Sequence, residues 1–412
     1  MKRKANRGKL LIIVVCLLVA ASAVSCYAEP GITDTEPPTA ADNNITPTPD
    51  TSMDAQISPI PPTQSISSPD PLLVPYDGIV EHIFFHEVIA YPELAFDGDA
   101  TQKGYDEYMV TVSEFNKILD SIYSNDYILV DINDVWSEYT DDNGVQRMQK
   151  NTLMLPAGKK PLVISFDDIS FYEYMLVDGF MHKLIIGPDG NIWASGVDPN
   201  GDEVVSQDLE AITILDKFVR DHPDFSLGGV KGCIALTGYE GILGYRTQYD
   251  IKNDTAESQL NRMHETARAM LIVDRLKASG WCFASHSYGH IAFATTPLND
   301  VIADAERWMD EVGSLVGATG ILIYPHGSRL DADDVNNTGK AFQFYQSLGF
   351  RIFASVGYEP FSRIKDDTAA VICDRMHVDG FTLRGQRDRY LRFYDAAEVF
   401  DPMRPPEYGK SW

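Results

Sequence analysis

The chain has 412 residues, of which 44% are hydrophobic, and this composition excludes a wholly disordered protein. Its net charge of −26 means that most of its surface repels nucleic-acid phosphates and anionic lipid headgroups. We therefore expect no nucleic-acid partner. The acidity by itself indicates either solubility or a preference for neutral or cationic polymers.

The first residues have the features of an export segment. Five basic residues precede residues 10–24, a run of 15 apolar or small residues. That run is shorter than the roughly 20 residues of a membrane span and is typical of a signal-peptide core. It ends at Ala23-Val24-Ser25-Cys26, which resembles the acylation site of bacterial lipoproteins. We predict a signal or lipoprotein segment over residues 1–26, with cleavage without lipid or an uncleaved anchor as alternatives.

A tether is predicted to follow over residues 27–75. Residues 30–75 contain 11 of the 23 prolines, and no Lys or Arg occurs between Lys9 and Lys103. Such a stretch buries too little apolar surface to offset its ordering entropy, so we expect disorder. The folded domain is then residues 76–412. Its three cysteines, Cys233, Cys282 and Cys373, are too few and too scattered for a disulfide framework and are expected to be buried free thiols.

Strands and helices alternate through the predicted domain. Short apolar runs predict strands at 78–91, 127–130, 161–166, 233–236, 281–284, 321–323, 351–356 and 369–373. Apolar residues at helical spacing predict helices at 112–122, 209–219, 254–279, 297–309 and 340–348. Pro188-Asp189-Gly190 predicts a hairpin inserted into this series. The alternation favours an α/β fold, and its number of repeats favours a distorted (β/α)7-type barrel.

The first chemically unusual motif is Ser165-Phe166-Asp167-Asp168, directly after the apolar residues 162–164 and at the end of the strand predicted at 161–166. Active groups in β/α barrels lie where strands end, so the two carboxylates could point into one pocket. The alternative is that the pair only caps a loop or a helix.

The second motif is His286-Ser287-Tyr288-Gly289-His290, directly after the strand at 281–284. Two imidazoles four residues apart can share one face of a helical turn and reach one metal ion. A pair of ordinary loop or buried histidines is the alternative.

The third motif, Tyr324-Pro325-His326-Gly327, follows the strand at 321–323. Pro and Gly stiffen a loop whose backbone could line a substrate groove, although alone the motif is only a turn.

Two histidines of the first strand, His82 and His86, are four residues apart and should share one face. Core packing is expected for both, with a position at the barrel mouth as the alternative for His86.

Together and in this order, the three motifs resemble those of the polysaccharide deacetylases with NodB homology, carbohydrate esterase family 4. The resemblance covers residues 76–394 and implies a distorted, often seven-stranded barrel. It implies that Asp167 is the general base and that Asp168, His286 and His290 bind the metal. It also implies a histidine general acid on a late strand, for which His377 is the candidate.

The sequence departs from the family pattern at two positions. Ile323 stands where the family has an arginine that contacts the base, and Ile169 replaces a common glycine. Arg246 or Arg375 could replace the missing arginine, or each is an ordinary loop residue. The residues expected to line the substrate site are Tyr288, Tyr324, Pro325, His326 and Gly327, with Arg246 and Arg375.

The resemblance implies a metal-dependent hydrolase that removes acetyl groups from N-acetylated or O-acetylated polysaccharide. The predicted tether favours a polymer at the cell surface, either peptidoglycan or a poly-N-acetylhexosamine. One aspartate and two histidines suit Zn²⁺, with Co²⁺, Ni²⁺ or Mn²⁺ as alternatives. Two other functions stay open, a non-catalytic glycan-binding surface lipoprotein and a hydrolase of other non-peptide carbon–nitrogen bonds. We expect the protein to be exported, to face the cell wall, and to contact the membrane only through its N-terminal lipid or signal anchor.

Overall fold

The computed structural model describes residues 72–412 apart from 332, 335, 336, 366 and 367, and these residues belong to one compact unit. The predicted segment 1–26 and the predicted linker up to residue 71 lie outside the described residues. The strand Leu73–Tyr76 pairs antiparallel with Leu153–Pro156, so the folded unit includes the end of the stretch assigned to the linker. No helix among the described residues is both long and apolar enough to cross a bilayer.

Seven parallel strands close into a barrel, which confirms the predicted fold. They are β1 (Glu81–Phe85), β2 (Lys160–Asp167), β3 (Cys233–Leu236), β4 (Cys282–Ser285), β5 (Ile321–Ile323), β6 (Ile352–Gly357) and β7 (Ala370–His377). The order around the ring is β3-β4-β5-β6-β7-β1-β2, and β2 pairs back with β3. Tyr127–Leu129 adds a further parallel strand beside the start of β2.

The barrel is distorted because two of its seams are short. β4 and β5 pair at Ser285 and Leu322, and β7 meets β1 only through its last two residues, Met376 and His377. The first part of β7 does not pair with β1. It pairs instead with the antiparallel strand Phe361–Lys365. The carboxyl ends of β7, β1 and β2 nevertheless stay adjacent.

Strand alternation decides what fills the barrel. Small or medium apolar side chains such as Val163, Ala235 and Ala354 form a narrow inner cluster, and larger ones pack outward against the helices. Because side chains alternate between the two faces, Asp167 and Arg375 extend the inward rows that begin at Val163 and Cys373. The inward face is therefore apolar in the middle and charged at its carboxyl end.

The helices surround the strands as predicted. The long ones are α1 (Val112–Ser124), α2 (Ala211–Asp221), α3 (Ala256–Ala278), α4 (Leu298–Trp308) and α5 (Asn337–Ser347). The short ones are Pro92–Ala95, Gln102–Tyr108, Ile132–Val135, Ser314–Val316, Gly380–Gly385, Arg387–Tyr390 and Ala396–Val399. α1 begins at a capping box formed by Thr111 and Glu114. α4 begins one residue later than predicted, because Pro297 is extended, with ψ of 146°, and serves as the N-cap.

The inserted hairpin is confirmed, with Lys183–Ile186 antiparallel to Ile192–Val197, and Glu203–Ser206 adds a third strand. A second hairpin, Trp136–Thr140 with Gln146–Lys150, was not predicted. Asp142-Asn143-Gly144 at its tip is the turn signal that could have revealed it. The three cysteines are free as expected; Cys233 and Cys373 are buried and Cys282 is half-buried.

A buried ion cluster joins the C-terminal segment to α1 and to the helix Gln102–Tyr108. Arg404 uses all five of its N–H groups: two bond the Glu114 carboxylate at 2.6 and 2.8 Å, one bonds the Asp106 carboxylate at 3.0 Å, and two bond the backbone carbonyls of Asp106 and Met109. The side chains of Arg404 and Glu114 are fully buried. Each of these buried charges is therefore stabilised by the opposite charge beside it.

We expect Arg404→Met to lower the free energy of unfolding by about 3–5 kcal/mol, because Glu114 then keeps a buried charge without its cation. Urea unfolding followed by circular dichroism measures the change. The control is Arg268→Met, whose side chain is largely exposed, and it should alter stability by no more than about 0.5 kcal/mol. Equal midpoints for the two variants would contradict this account.

Candidate metal and catalytic site

Three potential metal ligands meet at the carboxyl end of the barrel. Asp168 directly follows β2, and His286 and His290 come from the loop after β4. One donor atom from each side chain lies within 4.8 Å of the others. The Asp168 Oδ2 atom is 3.4 Å from His290 Nε2 and 3.8 Å from His286 Nε2. The fold thus brings together side chains that are more than a hundred residues apart in sequence.

Asp168 is oriented by a neighbour that the motif does not contain. The Tyr172 hydroxyl donates to Asp168 Oδ1 at 2.6 Å and lies 2.6 Å from the Thr237 hydroxyl. Burial by itself raises the pKa of the Asp168 carboxyl, but the imidazoles of His290 and His286 lower it by more than burial raises it. The net pKa of Asp168 is therefore below its usual value. Asp168 is therefore ionised, and its free Oδ2 faces the imidazoles.

His286 is held in the form that a metal requires. Its Nδ1 lies 2.9 Å from the backbone carbonyl of Ile323. A carbonyl only accepts, so Nδ1 carries the hydrogen and the Nε2 lone pair faces Asp168. Burial lowers the pKa of His286 to about 4, which keeps the imidazole neutral at physiological pH.

Backbone strain is concentrated at this end of the barrel. Asp168, Ser287, His290 and His326 have positive φ values of 63°, 55°, 52° and 56°. For residues other than glycine this left-handed region costs on the order of 1–3 kcal/mol, and it persists where the surrounding structure imposes it. The loops after β2, β4 and β5 are thus held in conformations that aim side chains into the mouth.

Arg375 occupies the place beside the candidate base. It lies on β7, is fully buried, and binds Asp167 with two parallel hydrogen bonds of 2.7 and 2.9 Å. It also donates to Ser165 Oγ at 3.0 Å, and its guanidinium lies over the Phe84 ring. Burial raises the pKa of Asp167, and the Arg375 charge lowers it to below its usual value. The Asp167 carboxyl, the candidate base, is therefore ionised, and it lies 3.9 Å from His286 Nε2.

The two arginine candidates have different positions. Arg246 donates to the backbone carbonyls of Ser170, Phe171 and Glu240 rather than to Asp167, so it stabilises the loop after the Asp pair. The placement of Arg375 as a substrate-binding residue is also wrong, because its side chain has no exposed surface. Arg375 contacts the candidate base Asp167 from inside the barrel, on β7 rather than on β5, where Ile323 stands at the position of the expected arginine.

His377 ends β7 with a carboxylate partner. Its Nδ1 lies 2.7 Å from Asp379 Oδ2, so the ring donates to Asp379 and its Nε2 is left for another partner. The ring stacks on Phe84 and Phe381. Asp379 was missed in the sequence, although a carboxylate two residues after a candidate acid is a signal that could have suggested it.

The aromatic residues of the motifs are not available to substrate. Tyr288 and Tyr324 are buried, with 4% and 2% of their surface exposed, and the Tyr288 hydroxyl donates to Glu311. Their assignment as substrate-binding side chains is therefore wrong. Pro325 is buried as well, whereas His326 is exposed and its ring contacts the His290 ring edge-on at 4.3 Å. Gly327 has a positive φ of 63°.

The two histidines of the first strand separate. His82 packs inside the barrel, as expected, with Nε2 3.0 Å from Ser165 Oγ. His86 follows the end of β1, is half-buried, and lies 3.0 Å through Nδ1 from the carbonyl of Tyr108. His86 therefore lies at the mouth of the barrel and not in its core.

No protein-family model and no curated protein matches the sequence. Among solved structures, the chain is similar to the Streptococcus pyogenes deacetylase PplD in complex with acetate, at 12% identity and a TM-score of 0.39, over 79% of this chain and 99% of that chain. It is also similar to a "putative polysaccharide deacetylase from Mycobacterium smegmatis", at 12% identity and a TM-score of 0.25, over 40% of this chain and 44% of that one. At these TM-scores neither likeness carries weight for function, which depends on the chemistry of the site.

Proposed function

We propose that this protein is a metal-dependent hydrolase that removes acetyl groups from N-acetylated or O-acetylated polysaccharide. The observation that carries the proposal is the cluster of Asp168, His286 and His290, with donor atoms within 4.8 Å of one another, beside a buried carboxylate. Three protein ligands leave positions open for water and substrate, as hydrolytic metal sites require. A structural site would instead be closed by a fourth protein ligand.

The donor set fits a divalent ion, and we propose Zn²⁺, with Co²⁺, Ni²⁺ or Mn²⁺ as alternatives. When bound, such an ion supplies Lewis acidity that polarises the acetyl carbonyl and lowers the pKa of water. Asp168 would hold it through Oδ2, since Tyr172 engages Oδ1, and the histidines through Nε2. The hydrogen bond from His286 Nδ1 supports this orientation from the far side of the ring.

Asp167 is proposed to accept the proton of the attacking water. The new bond joins the water oxygen to the acetyl carbon, and the bond from that carbon to the sugar nitrogen or oxygen breaks. Because Arg375 keeps Asp167 charged, a proton acceptor is present before substrate arrives. Arg375 also limits the carboxylate to one orientation, which a bidentate pair specifies.

His377 is proposed to donate the proton that the leaving nitrogen or oxygen needs. Without this proton the tetrahedral intermediate formed from an amide expels the attacking oxygen and returns to starting material. Asp379 holds the ring through its bond to Nδ1, which leaves Nε2 as the ring atom proposed to transfer the proton. Acetate and a free amine or hydroxyl are the products, so atoms and protons balance.

We place the reaction at the cell surface on the basis of the N-terminal segment alone. Peptidoglycan and poly-N-acetylhexosamine are the acetylated polymers proposed as substrates there. Incorporation of labelled palmitate into the wild-type protein, and its loss in Cys26→Ala, would support anchoring through a lipid. Incorporation that persists in Cys26→Ala would contradict it.

The full-length protein is expected to bind about one divalent ion and to release acetate from an acetylated polymer. Chelation should abolish acetate release and lower the thermal midpoint, and added Zn²⁺ should restore both. Elemental analysis, acetate determination and thermal unfolding measure these effects. Acetate release that survives complete metal removal would contradict the proposal.

Two other outcomes identify the alternatives. Hydrolysis of small formamides or cyclic imides, with no acetate released from any glycan, would indicate a hydrolase of other carbon–nitrogen bonds. Glycan binding that chelation leaves unchanged, with no acetate released, would indicate a binding protein on the same barrel.

A further inference from the structure

Three neighbouring barrel strands carry buried polar side chains next to Asp167. His82 lies on β1, Ser165 on β2 and Arg375 on β7, and β1 lies between the other two strands in the ring. The exposed fractions of the three residues are 8%, 0% and 0%. Because water does not reach them freely, these groups must satisfy one another, and we call the three together the polar row.

The chemistry of Arg375 sets the direction of each hydrogen bond in the polar row. A guanidinium only donates, so Ser165 Oγ accepts from Arg375 Nη1 at 3.0 Å. The Ser165 hydroxyl keeps its own hydrogen, and in the described part of the chain its one other hydrogen-bonding neighbour is His82 Nε2, at 3.0 Å. Buried hydroxyl groups are paired, so Ser165 donates to Nε2 and the His82 ring carries its hydrogen on Nδ1.

His82 has the charge state that this arrangement requires. Burial lowers the pKa of His82 well below its usual value, and the charge of Arg375 lowers it further. The ring is therefore neutral, and its Nε2 lone pair is free to accept. A cavity of about 260 Å³ is lined in part by His82, so solvent can satisfy the Nδ1–H.

The bond from Ser165 fixes what the pair of Arg375 and Asp167 leaves free. The two parallel bonds between Arg375 and Asp167 orient the guanidinium relative to the carboxylate, but the two groups could still shift together. The Nε–H of Arg375 is buried and has no partner among the described residues. Ser165 supplies a third bond from β2 itself, two residues before Asp167 on the same inward face, and so ties the guanidinium to the barrel.

We infer that Ser165 and His82 are positioning residues, which hold Arg375 and through it Asp167 in the orientation proposed for proton transfer. Ser165 bonds the guanidinium directly. His82 acts one bond further away, because it keeps the hydroxyl hydrogen of Ser165 turned away from Arg375. The inference rests on the proposed function for the role of Asp167.

The kinetic test uses the full-length protein loaded with Zn²⁺, with acetate release from the N-acetylglucosamine hexasaccharide and from soluble peptidoglycan fragments. We expect kcat to fall about tenfold in Ser165→Ala, which loses a bond to a charged group, and about threefold in His82→Ala, which loses a neutral one. KM and the bound zinc should stay unchanged. Ser165→Thr keeps the hydroxyl and His82→Gln keeps an acceptor, so both should recover most of the rate.

The same changes in an Arg375→Lys background show whether the effect passes through Arg375. There neither Ser165→Ala nor His82→Ala should lower kcat further by more than about twofold, because the guanidinium that they position is absent. All rates are measured at a temperature where every variant is folded. A merely structural role would lower the thermal midpoint and leave kcat unchanged.

Matched controls lie away from the polar row. Ser226 is buried before β3, at the opposite end of the barrel, and donates to the carbonyl of Val230. His222 follows α2, and its ring bonds the carbonyl of Phe218. Ser226→Ala and His222→Gln should therefore leave kcat within about twofold of the wild type.

Nuclear magnetic resonance of the protein labelled with ¹⁵N-histidine examines the polar row without the reaction. The His82 signals, identified by their absence from His82→Gln, should be those of a neutral ring with its hydrogen on Nδ1. In Ser165→Ala the Nε2 signal should shift, because Nε2 loses its donor.

Unchanged kcat in both alanine variants would overturn the inference, as would a His82 ring that is charged or carries its hydrogen on Nε2. A fall in kcat accompanied by a changed KM or by lost zinc would also contradict a positioning role. With acetate release by the wild type, these results leave the proposed function in place. No acetate release by the wild type from either substrate would instead overturn the proposed function, and the positioning role with it, even if the His82 signals are as expected.

Discussion

Asp168→Ala is expected to lose both the bound divalent ion and acetate release, whereas Asp167→Asn is expected to lose acetate release and keep the ion. Asp168 Oδ2 faces both imidazoles, so its removal takes away one of three ligands. Asp167 instead has both oxygens bonded by Arg375, which suits a proton acceptor better than a ligand. Adjacent residues with the same functional group thus have separable roles.

The expected magnitudes follow from these roles. Loss of a general base costs about 10²–10⁴ in rate, so Asp167→Asn should retain only a small residual activity. For Asp168→Ala we expect metal affinity to fall by more than about 100-fold, beyond what the loss of a supporting residue costs. Elemental analysis after dialysis and acetate release measure the two effects on the same samples.

Asp142→Asn, in an exposed turn of the second hairpin, is the control and should behave as the wild type. Wild-type activity in Asp168→Ala would end the metal scheme. Loss of the ion in Asp167→Asn would make Asp167 a ligand and leave the reaction without its proposed base.

Arg375→Met is expected to have the second-largest effect, on stability and activity together. The variant leaves the Asp167 carboxylate inside the barrel without its cation, which costs about 3–5 kcal/mol of unfolding free energy. Acetate release should fall as well, because burial then raises the pKa of Asp167 without the opposing charge of Arg375. Arg375→Lys should recover part of the stability but less of the activity, since an ammonium cannot form the two parallel bonds.

The pH dependence separates a role at the base from a merely structural one. Arg375 lowers the pKa of Asp167, so the pair stabilises the fold above the unfolded pKa of an aspartate, and this stability is lost as pH falls through the folded pKa. Without Arg375 the pKa of Asp167 rises, and the acidic limb of the activity profile should move to higher pH. Acetate release measured against pH, at a temperature where both proteins are folded, gives this shift.

The control is Arg363→Met, the same change at an exposed position on the strand beside β7. It should leave stability within about 0.5 kcal/mol and the pH profile in place. A pH profile of Arg375→Met that matches the wild type would contradict the role of Arg375 at the base.

Local features of the sequence predicted the barrel well. β3 and β5 have the predicted bounds, and the other barrel strands differ mainly at their ends. The largest error is in β1, which was predicted over 78–91 and spans only Glu81–Phe85, and β7, predicted to end at Cys373, continues to His377. Asp374 and Arg375 are charged and therefore resemble a loop, but the barrel interior accepts Arg375 because Asp167 is there to pair with it.

The aromatic residues show the opposite limit of sequence reasoning. Tyr288 and Tyr324 stand in the motifs and are buried, whereas Tyr174 and Tyr239 stand outside them and are exposed. Nothing in the local sequence distinguishes these four, because burial of a tyrosine depends on which helices and loops pack over it. The same holds for Tyr172, whose bond to Asp168 joins residues within one loop that only the folded loop brings into contact.

By itself, the sequence determined the alternation of strands and helices and the position of each chemical motif after a strand, since both depend on short-range pattern and propensity. The tertiary structure alone decided which arginine meets Asp167, which tyrosines face solvent, and that Asp379 supports His377. Those choices depend on the order of the strands around the barrel and on the inward direction of alternate side chains. Both are set by long-range pairing, which places β7 two strands from β2 although more than two hundred residues separate them along the chain.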